Sequence, residues 1–310
     1  MTDKPYEPNS EIKKPVPRRR RRIVLSVLAT LVVLPLAAWY WSNHRNQPPP
    51  FKKKLFQGVT YIRDVRTSPC RNVIHVLLIR LDTPGLKFLV TKGDPKKLQP
   101  LTGMVTSDFL VQNKLRAAIN GDFFFPWHSR SPLDYYPHVG DPVELEGIAA
   151  SEGLVYSSGN KKETYPCLFI SKDNQVDFSG FPDGLYNVIS GDHLFLTNGD
   201  FGTSPAEYHH TRQPRTAVAL TADKKTMIWI VVDGRQPNYS EGMTMAELAE
   251  VVVRYGGTDA LNLDGGGSSE MVAESANHSA EILNCPIDCH IPGRERPVAN
   301  HLGLFAPAAH

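Results

Sequence analysis

The sequence predicts an α/β fold of the mixed α+β kind: one globular domain with a mixed β-sheet and flanking helices, behind an apolar N-terminal helix. Three observations predict it. Met227 to Val232 (MIWIVV) and Ala260 to Leu263 (ALNL) are short apolar runs closed by Asp233-Gly234-Arg235 and by Asp264-Gly265-Gly266-Gly267. Between them Thr244 opens a T-x-x-E capping box with Glu247, and Leu248, Val251, Val252 and Tyr255 follow at helical spacing up to Gly256-Gly257. Strand, helix, strand is a crossover unit with parallel strands. Elsewhere Val73 to Leu81 alternates as a half-buried strand does, and short strands broken by turn residues fill the middle of the chain.

Taken in order, residues 1–22 hold eight Lys or Arg against three acids, ending in Arg18 to Arg22. Ile23 to Trp41 comes next as an apolar run with only Ser26 and Thr30 as polar interruptions and Pro35 as a kink, about the length that spans a bilayer. The positive-inside rule keeps the arginines cytoplasmic and exports the chain beyond Trp41. No small-x-small cleavage site closes the run before Trp39, Tyr40 and Trp41, which favours an uncleaved anchor over a signal peptide. Residues 42–53 read as a proline-rich spacer, and 54–310 as the folded domain.

Of the chain's 34 basic and 32 acidic residues, 26 and 29 remain beyond residue 22. The exported part is therefore mildly acidic, which argues against a nucleic-acid partner. Cys70, Cys167, Cys285 and Cys289 all lie beyond the anchor, where an even number of cysteines suits two disulfides of open pairing. Cys285-x-x-x-Cys289-His290 lacks the second ligand pair of a zinc site.

Within the domain, Gln57 to Arg66 and Val73 to Leu81 form an antiparallel start. Thr102 to Asn113 is a helix, and a short strand, Arg116 to Ile119, leads into Asn120-Gly121-Asp122-Phe123-Phe124. Pro126 to Asp141 has no period and reads as a long binding loop, with Trp127, Tyr135 and Tyr136 suited either to stacking on a sugar or to packing on the core. Pro214-Arg215-Thr216 precedes another strand, Ala217 to Leu220, and Arg294-Glu295-Arg296 precedes the last, Leu302 to Phe305. His209 and His210, adjacent on an extended chain, point to opposite faces and make a poor ligand pair.

Parallel strands end at one edge, so Asp233 and Asp264 are expected at one rim, about 4.8 Å apart at the backbone if the strands are neighbours. Each Asp-Gly alone is turn chemistry; two at one rim beside GGGSS favour a site. The glycines do not make a nucleotide loop, because the lysine and following Ser or Thr of a P-loop are missing.

The set NGDFF at Asn120, PRTAVAL at Pro214, VVDGR at Val231, NLDGGGSSEM at Asn262 and RPVANHLGLF at Arg296 resembles the phosphodiester glycosidase family, over roughly Arg116 to Phe305. Ile189-Ser190-Gly191 and Asn198-Gly199 also resemble its central glycine turns. The family commonly has glycine where this chain has Asp122, and threonine where it has Glu270. The resemblance implies hydrolysis of the C1–O bond of a sugar 1-phosphodiester. In that frame Asp264 is the expected nucleophile or base, Asp233 its partner, and Asn120 a sugar-positioning group. Arg215, Arg235 and Arg296 are the expected phosphate clamp, with Asp122, Gly265, Gly266, Gly267, Ser268, Ser269 and Asn300 completing the substrate site. No cofactor is required. Asp122, Asp233, Asp264 and Glu270 leave room for a divalent cation, and with it for a rival reading as a metal-dependent phosphodiesterase. A non-catalytic glycan-binding or assembly factor is the other alternative. The expected setting is a bacterial inner membrane, single-pass through 23–41, with the domain in the periplasm acting on envelope or exopolysaccharide glycosyl phosphates.

Overall fold

The computed structural model describes residues 18–159, 165–180 and 184–309; most of the basic tail expected at 1–22 lies outside them. The chain divides into two compact units, Met1–His44 and Arg45–His310. In the first, Arg18–Asn43 forms one helix of 26 residues with Pro35 inside it. Among the described residues no helix is long and apolar enough to cross a membrane; the side chains at 24, 38, 39 and 41, within the apolar run, lie outside the described set.

The second unit stacks two sheets face to face and covers each outer face with a helix. One sheet has eight strands in the order Phe51–Phe56, Val59–Arg66, Asn72–Arg80, Thr226–Val232, Arg215–Thr221, Gly257–Asn262, His193–Thr197 and Asp200–Phe201. The facing sheet has five, in the order Ala280–Ile282, Met271–Glu274, Ala117–Asn120, His301–Phe305 and Lys87–Val90. Why Met227 to Val232 is apolar without a break is now plain. Met227, Trp229 and Val231 point into the core shared with the second sheet, while Ile228, Ile230 and Val232 pack under the helix Met245–Arg254. A strand covered on both faces has no solvent side to alternate towards. The helix carries the expected capping box: Thr244 Oγ1 accepts from Glu247 N, and the Glu247 carboxylate accepts from Thr244 N. On the other side, Thr106–Gln112 supplies Phe109 and Leu110 to a cluster with Leu89, Ala118 and Val272. A further antiparallel sheet of five short strands, among them Cys167–Ile170 and Asn187–Ser190, closes one end of the core through Leu168, Ile170 and Ile189.

Three expectations need correction. Thr226–Val232 and Gly257–Asn262 do run parallel, but Arg215–Thr221 lies between them, antiparallel to both: Ala217 pairs with Ile230 on one side and Asn262 on the other. Two strand spacings, about 9.6 Å, therefore separate the strands that end near Asp233 and Asp264. The expected disulfides are not formed, since all four cysteines are free and buried. Cys167 packs with Ala150 and Val188, whereas Cys285 packs with Val73 and Tyr239. Burial pushes the Cys167 thiol up to about 12 and raises that of Cys285, so both stay protonated and behave as small apolar groups. Finally, the aperiodic loop contains a hairpin, His128–Ser131 against Asp134–Tyr136, in which Tyr136 stacks on His128 with centroids 5.1 Å apart.

Candidate active site

Asp264 follows Gly257–Asn262, and its place is set from both sheets. Its N–H donates to Gly121 O at 3.0 Å, and its carbonyl accepts from Asn120 Nδ2 at 2.7 Å. Asn120 Oδ1 accepts from Thr216 Oγ1 at 2.7 Å and from Glu270 N at 3.0 Å. The fully buried Asn120 amide is thus a clasp between the sheets that fixes the two ends of the glycine loop; it is spent on backbone and on the Thr216 hydroxyl rather than turned to a sugar. Gly121 is required by this closeness, because a Cβ there would lie 2.4 Å from Asn300 Oδ1.

Beyond Asp264 the chain forms a short 3₁₀ turn, Gly266–Ser268. Two guanidinium groups lie directly against it. A Cβ on Gly266 would stand 2.9 Å from Arg235 Nη2, and one on Gly267 only 2.3 Å from Arg296 Nη2. Glycine is what lets both cations rest on the backbone. Arg296 is held by Asp288 Oδ1 at 2.7 Å and faces the rings of Trp127 and Tyr135 at 5.3 and 5.9 Å. Arg215 is 2% exposed, yet among the described residues it donates only to the carbonyls of Met243, Tyr208 and Thr211. Arg235 Nε donates to Gln213 Oε1 at 2.7 Å. Among the described residues no carboxylate lies within ion-pair distance of Arg215 or Arg235.

These groups line one cavity of about 530 Å³: Asp264, Gly265, Gly266, Gly267, Arg215, Arg235 and Arg296 all face it. Burial, aided by the charge of Arg235, lowers Arg215 to about 10, and burial together with Arg296 lowers Arg235. Three crowded cations share the cavity with Asp264 and Glu146, and among the described residues only Arg296 has an ion-pair partner, Asp288, so an anion would relieve the other two. Burial raises Asp264 to about 6, against the opposing pull of a Ser268 hydrogen bond and the Arg296 charge. A carboxyl poised there is mostly ionised at neutral pH, the form in which a carboxylate can act as base or nucleophile.

Other expected site residues stand behind the wall. Asp233 is 1% exposed and fully engaged: it accepts from His75 Nε2 at 3.1 Å, Tyr239 Oη at 3.3 Å, Asn284 Nδ2 at 3.1 Å and Cys285 N at 2.8 Å. Asn284 in turn donates to Ser269 O and accepts from Met271 N, so Asp233 braces the segment after the glycines and does not reach the cavity. Asp122 is buried against Ser190, with its own N–H donating to Asn300 Oδ1 at 2.7 Å. Burial pushes Asp122 up to about 7, and Glu146 and Asp264 add to the rise. Glu270 faces Glu295 and Thr106; burial, then the neighbouring acid, raises it well above the usual carboxylate range. Ser268, the last residue of the turn, is buried with its hydroxyl against Asp264 and within 3.4 Å of Arg296 Nη1, and Ser269 is buried after it. The four acids considered as oxygen ligands therefore occupy separate environments, and among the described residues no group of three or more His, Cys, Asp or Glu is placed to hold a metal ion.

Glu146 and Asn262 are among the cavity residues that the sequence does not mark as site residues. Glu146 lines the cavity as a second carboxylate, accepting from Tyr165 Oη at 3.0 Å. It follows the short strand Pro142–Leu145, and the second acid of VELEGI carries no pattern to distinguish it from a surface charge. Asn262 also lines it, two residues before Asp264 and so on the same face of its strand. Its Nδ2 donates to Asp192 Oδ1 at 2.6 Å, and its Oδ1 is buried without a partner among the described residues. His209, on the short helix Glu207–His210 rather than an extended chain, turns inward to Asp192 Oδ2 at 2.8 Å.

The fold has relatives among solved structures. A hypothetical protein from Synechocystis superposes with a TM-score of 0.56 at 14% identity, over 84% of this chain and 64% of that one, so this chain spans less than two thirds of its length. The zebrafish N-acetylglucosamine-1-phosphodiester alpha-N-acetylglucosaminidase catalytic domain, auto-inhibited by its pro-peptide, gives 0.57 at 18% identity over 85% of each chain. No curated protein sequence matches. The family profile described as "NAGPA: Phosphodiester glycosidase" matches residues 113–305, which includes every group named above on the cavity wall. With more than half its length matched, the chain belongs to the phosphodiester glycosidase family, a family of hydrolases.

Proposed function

We propose that the domain hydrolyses the C1–O glycosidic bond of α-sugar 1-phosphodiesters. The observation that carries this reading is the single cavity in which Asp264 stands beside three guanidinium groups, two of them without a carboxylate partner among the described residues. A phosphate monoester is a good leaving group, so the reaction asks mainly for anion binding, support of an oxocarbenium-like centre and a nucleophile. Arg215, Arg235 and Arg296 take the phosphate. Asp264 attacks C1 or activates the water that does, and Glu146 is the second carboxylate of the site. Asn120 and Asp233 act through the backbone they hold, as positioning residues. Trp127 and Tyr135 offer ring faces at the mouth.

The zebrafish enzyme's name specifies an N-acetylglucosamine 1-phosphodiester, which makes that sugar the first to try. We also propose that the helix Arg18–Asn43 anchors the chain in a bacterial inner membrane, with the domain periplasmic and acting on envelope or exopolysaccharide glycosyl phosphates. The apolar run Ile23 to Trp41 behind five arginines supports that placement.

The test is to incubate the protein, with and without chelator, with a panel of α-sugar 1-phosphodiesters and to identify products by mass spectrometry, beside Asp264→Asn. Free sugar and phosphomonoester, absent with Asp264→Asn, are expected. Sugar phosphate lost on chelation would replace this reading with a metal phosphodiesterase. Glycan binding without any turnover would replace it with an assembly factor.

A further inference from the structure

Asn262 lines the cavity with its amide NH₂ committed to Asp192, so the group it has left to offer a substrate is an acceptor. Both oxygens of Asp192 already accept hydrogen bonds, one from Asn262 Nδ2 at 2.6 Å and one from His209 Nε2 at 2.8 Å. A carboxylate only accepts, so flipping the Asn262 amide would set oxygen against oxygen. The amide is locked with its NH₂ towards Asp192 and Oδ1 left over. That Oδ1 is buried, belongs to a residue 1% exposed, has no partner among the described residues, and sits in a side chain lining the cavity beside Asp264.

The backbone enforces the same arrangement independently. Asp192 N donates to Asn262 O at 3.2 Å, and a Cβ on Gly191 would lie 2.1 Å from that oxygen. Only glycine at 191 lets the turn after Asn187–Ser190 lie against the strand and bring Asp192 to the Asn262 amide. His209 completes the lock from the far side, 4% exposed and stacked on His193 with centroids 5.2 Å apart.

We propose that Asn262 is a specificity-determining residue that accepts a hydrogen bond from an O–H or N–H on the sugar ring, with Asp192 and His209 as the positioning residues that keep its oxygen turned to the substrate. This rests on the sugar-phosphate reading of the cavity. A site with a buried acceptor rejects an analogue lacking the matching donor, because the acceptor is then left unsatisfied.

The experiment measures binding by calorimetry to the full chain. The probes are α-glucose 1-phosphate, its 2-, 3-, 4- and 6-deoxyfluoro analogues, N-acetylglucosamine 1-phosphate and the N-methylated form of its amide. Fluorine keeps the size of a hydroxyl but donates nothing. In the wild type, one substitution is expected to weaken binding by roughly 5- to 150-fold, the range for leaving a buried acceptor unpaired. Loss on fluorination identifies a hydroxyl as the donor; loss on N-methylation identifies the amide. With Asn262→Ala that penalty should fall below about twofold while the other analogues keep their order. Asp192→Asn, whose new amide lets Asn262 flip, should reduce the same penalty even if Asn262→Ala fails to fold. A merely structural role would weaken all probes alike. An unchanged penalty in both variants, or none in the wild type with both parents bound, overturns the proposal. Failure of the wild type to bind either parent overturns instead the sugar-phosphate reading beneath it.

Discussion

Replacing Gly267 with alanine should disable the anion site while leaving the fold intact. Gly267 does not occupy the left-handed region, so the backbone can accept a side chain. The new Cβ would stand 2.3 Å from Arg296 Nη2 and 2.5 Å from Cζ, where ordinary contact begins near 3.4 Å. The guanidinium must retreat by about 1 Å, which pulls it from the Asp288 bond and off the turn where phosphate is proposed to lie. A hydrogen bond to a charged group is worth about 1.5–3 kcal/mol, so affinity for a sugar 1-phosphate should fall roughly 10- to 150-fold. Arg296 also holds the Asp264 carboxyl down, and its withdrawal should move the acidic limb of the pH profile above 6. Calorimetry with α-glucose 1-phosphate, a pH–rate profile and a thermal melt read these effects. Gly266→Ala makes a useful contrast, because its φ of +61° adds about 1 kcal/mol of backbone strain to a milder 2.9 Å clash with Arg235. Gly267→Ala binding as tightly as wild type, with its pH profile unmoved, would refute the seating of Arg296 on the glycine loop.

Four further outcomes are expected. Because the folded Asp264 titrates near 6, above its ordinary value of 3.8, its favourable protonated form is complete at low pH and is lost as pH rises through 6. Asp264→Asn should therefore be more stable than wild type above pH 6 by up to about 3 kcal/mol, with the gap closing below pH 4; denaturant midpoints at pH 4 and 8 test this. Wild-type kcat/KM should rise with pH through about 6, and a profile falling there would exclude a deprotonated Asp264. Asn120→Ala strands Asp264 O and Glu270 N, and should lower the stability of the Arg45–His310 unit by about 2–5 kcal/mol in urea; a loss below about 1 kcal/mol would remove its role as clasp. Glu146→Gln should lower kcat by roughly 10²- to 10⁴-fold with sugar-phosphate affinity nearly unchanged, and full activity would take Glu146 out of the chemistry.

Much of the frame was legible because local rules and tertiary packing agree in it. The capping box at Thr244, the unbroken run Met227 to Val232 and the glycines after Asp264 each have one good physical use, and the fold makes that use of them. The order of strands was not legible, because Arg215–Thr221 inserts between two strands that precede and follow the crossover helix, and nothing local reports it. That insertion is also why Asp233 and Asp264, alike in sequence as strand-end acids before glycine, part company in the structure. One faces the cavity; the other is consumed by four donors, Asn284 and Cys285 among them. Glu146 and Asn262 escaped notice for a related reason. Their meaning comes from partners distant in the chain, Tyr165 for one and Asp192 for the other. His209 shows the limit of a strand assumption: on a helical turn it reaches inward, whereas His210 stays at the surface.

The most direct measurement of the proposed chemistry is hydrolysis of an α-N-acetylglucosamine 1-phosphodiester in water enriched in oxygen-18, with both products analysed by mass spectrometry. Cleavage of the C1–O bond by a nucleophile at Asp264 places the label on the released sugar and leaves the phosphomonoester unlabelled. Label in the phosphate would mean that the bond to phosphorus is the one broken, and would contradict the assignment of Asp264 and the three arginines to a glycosidase.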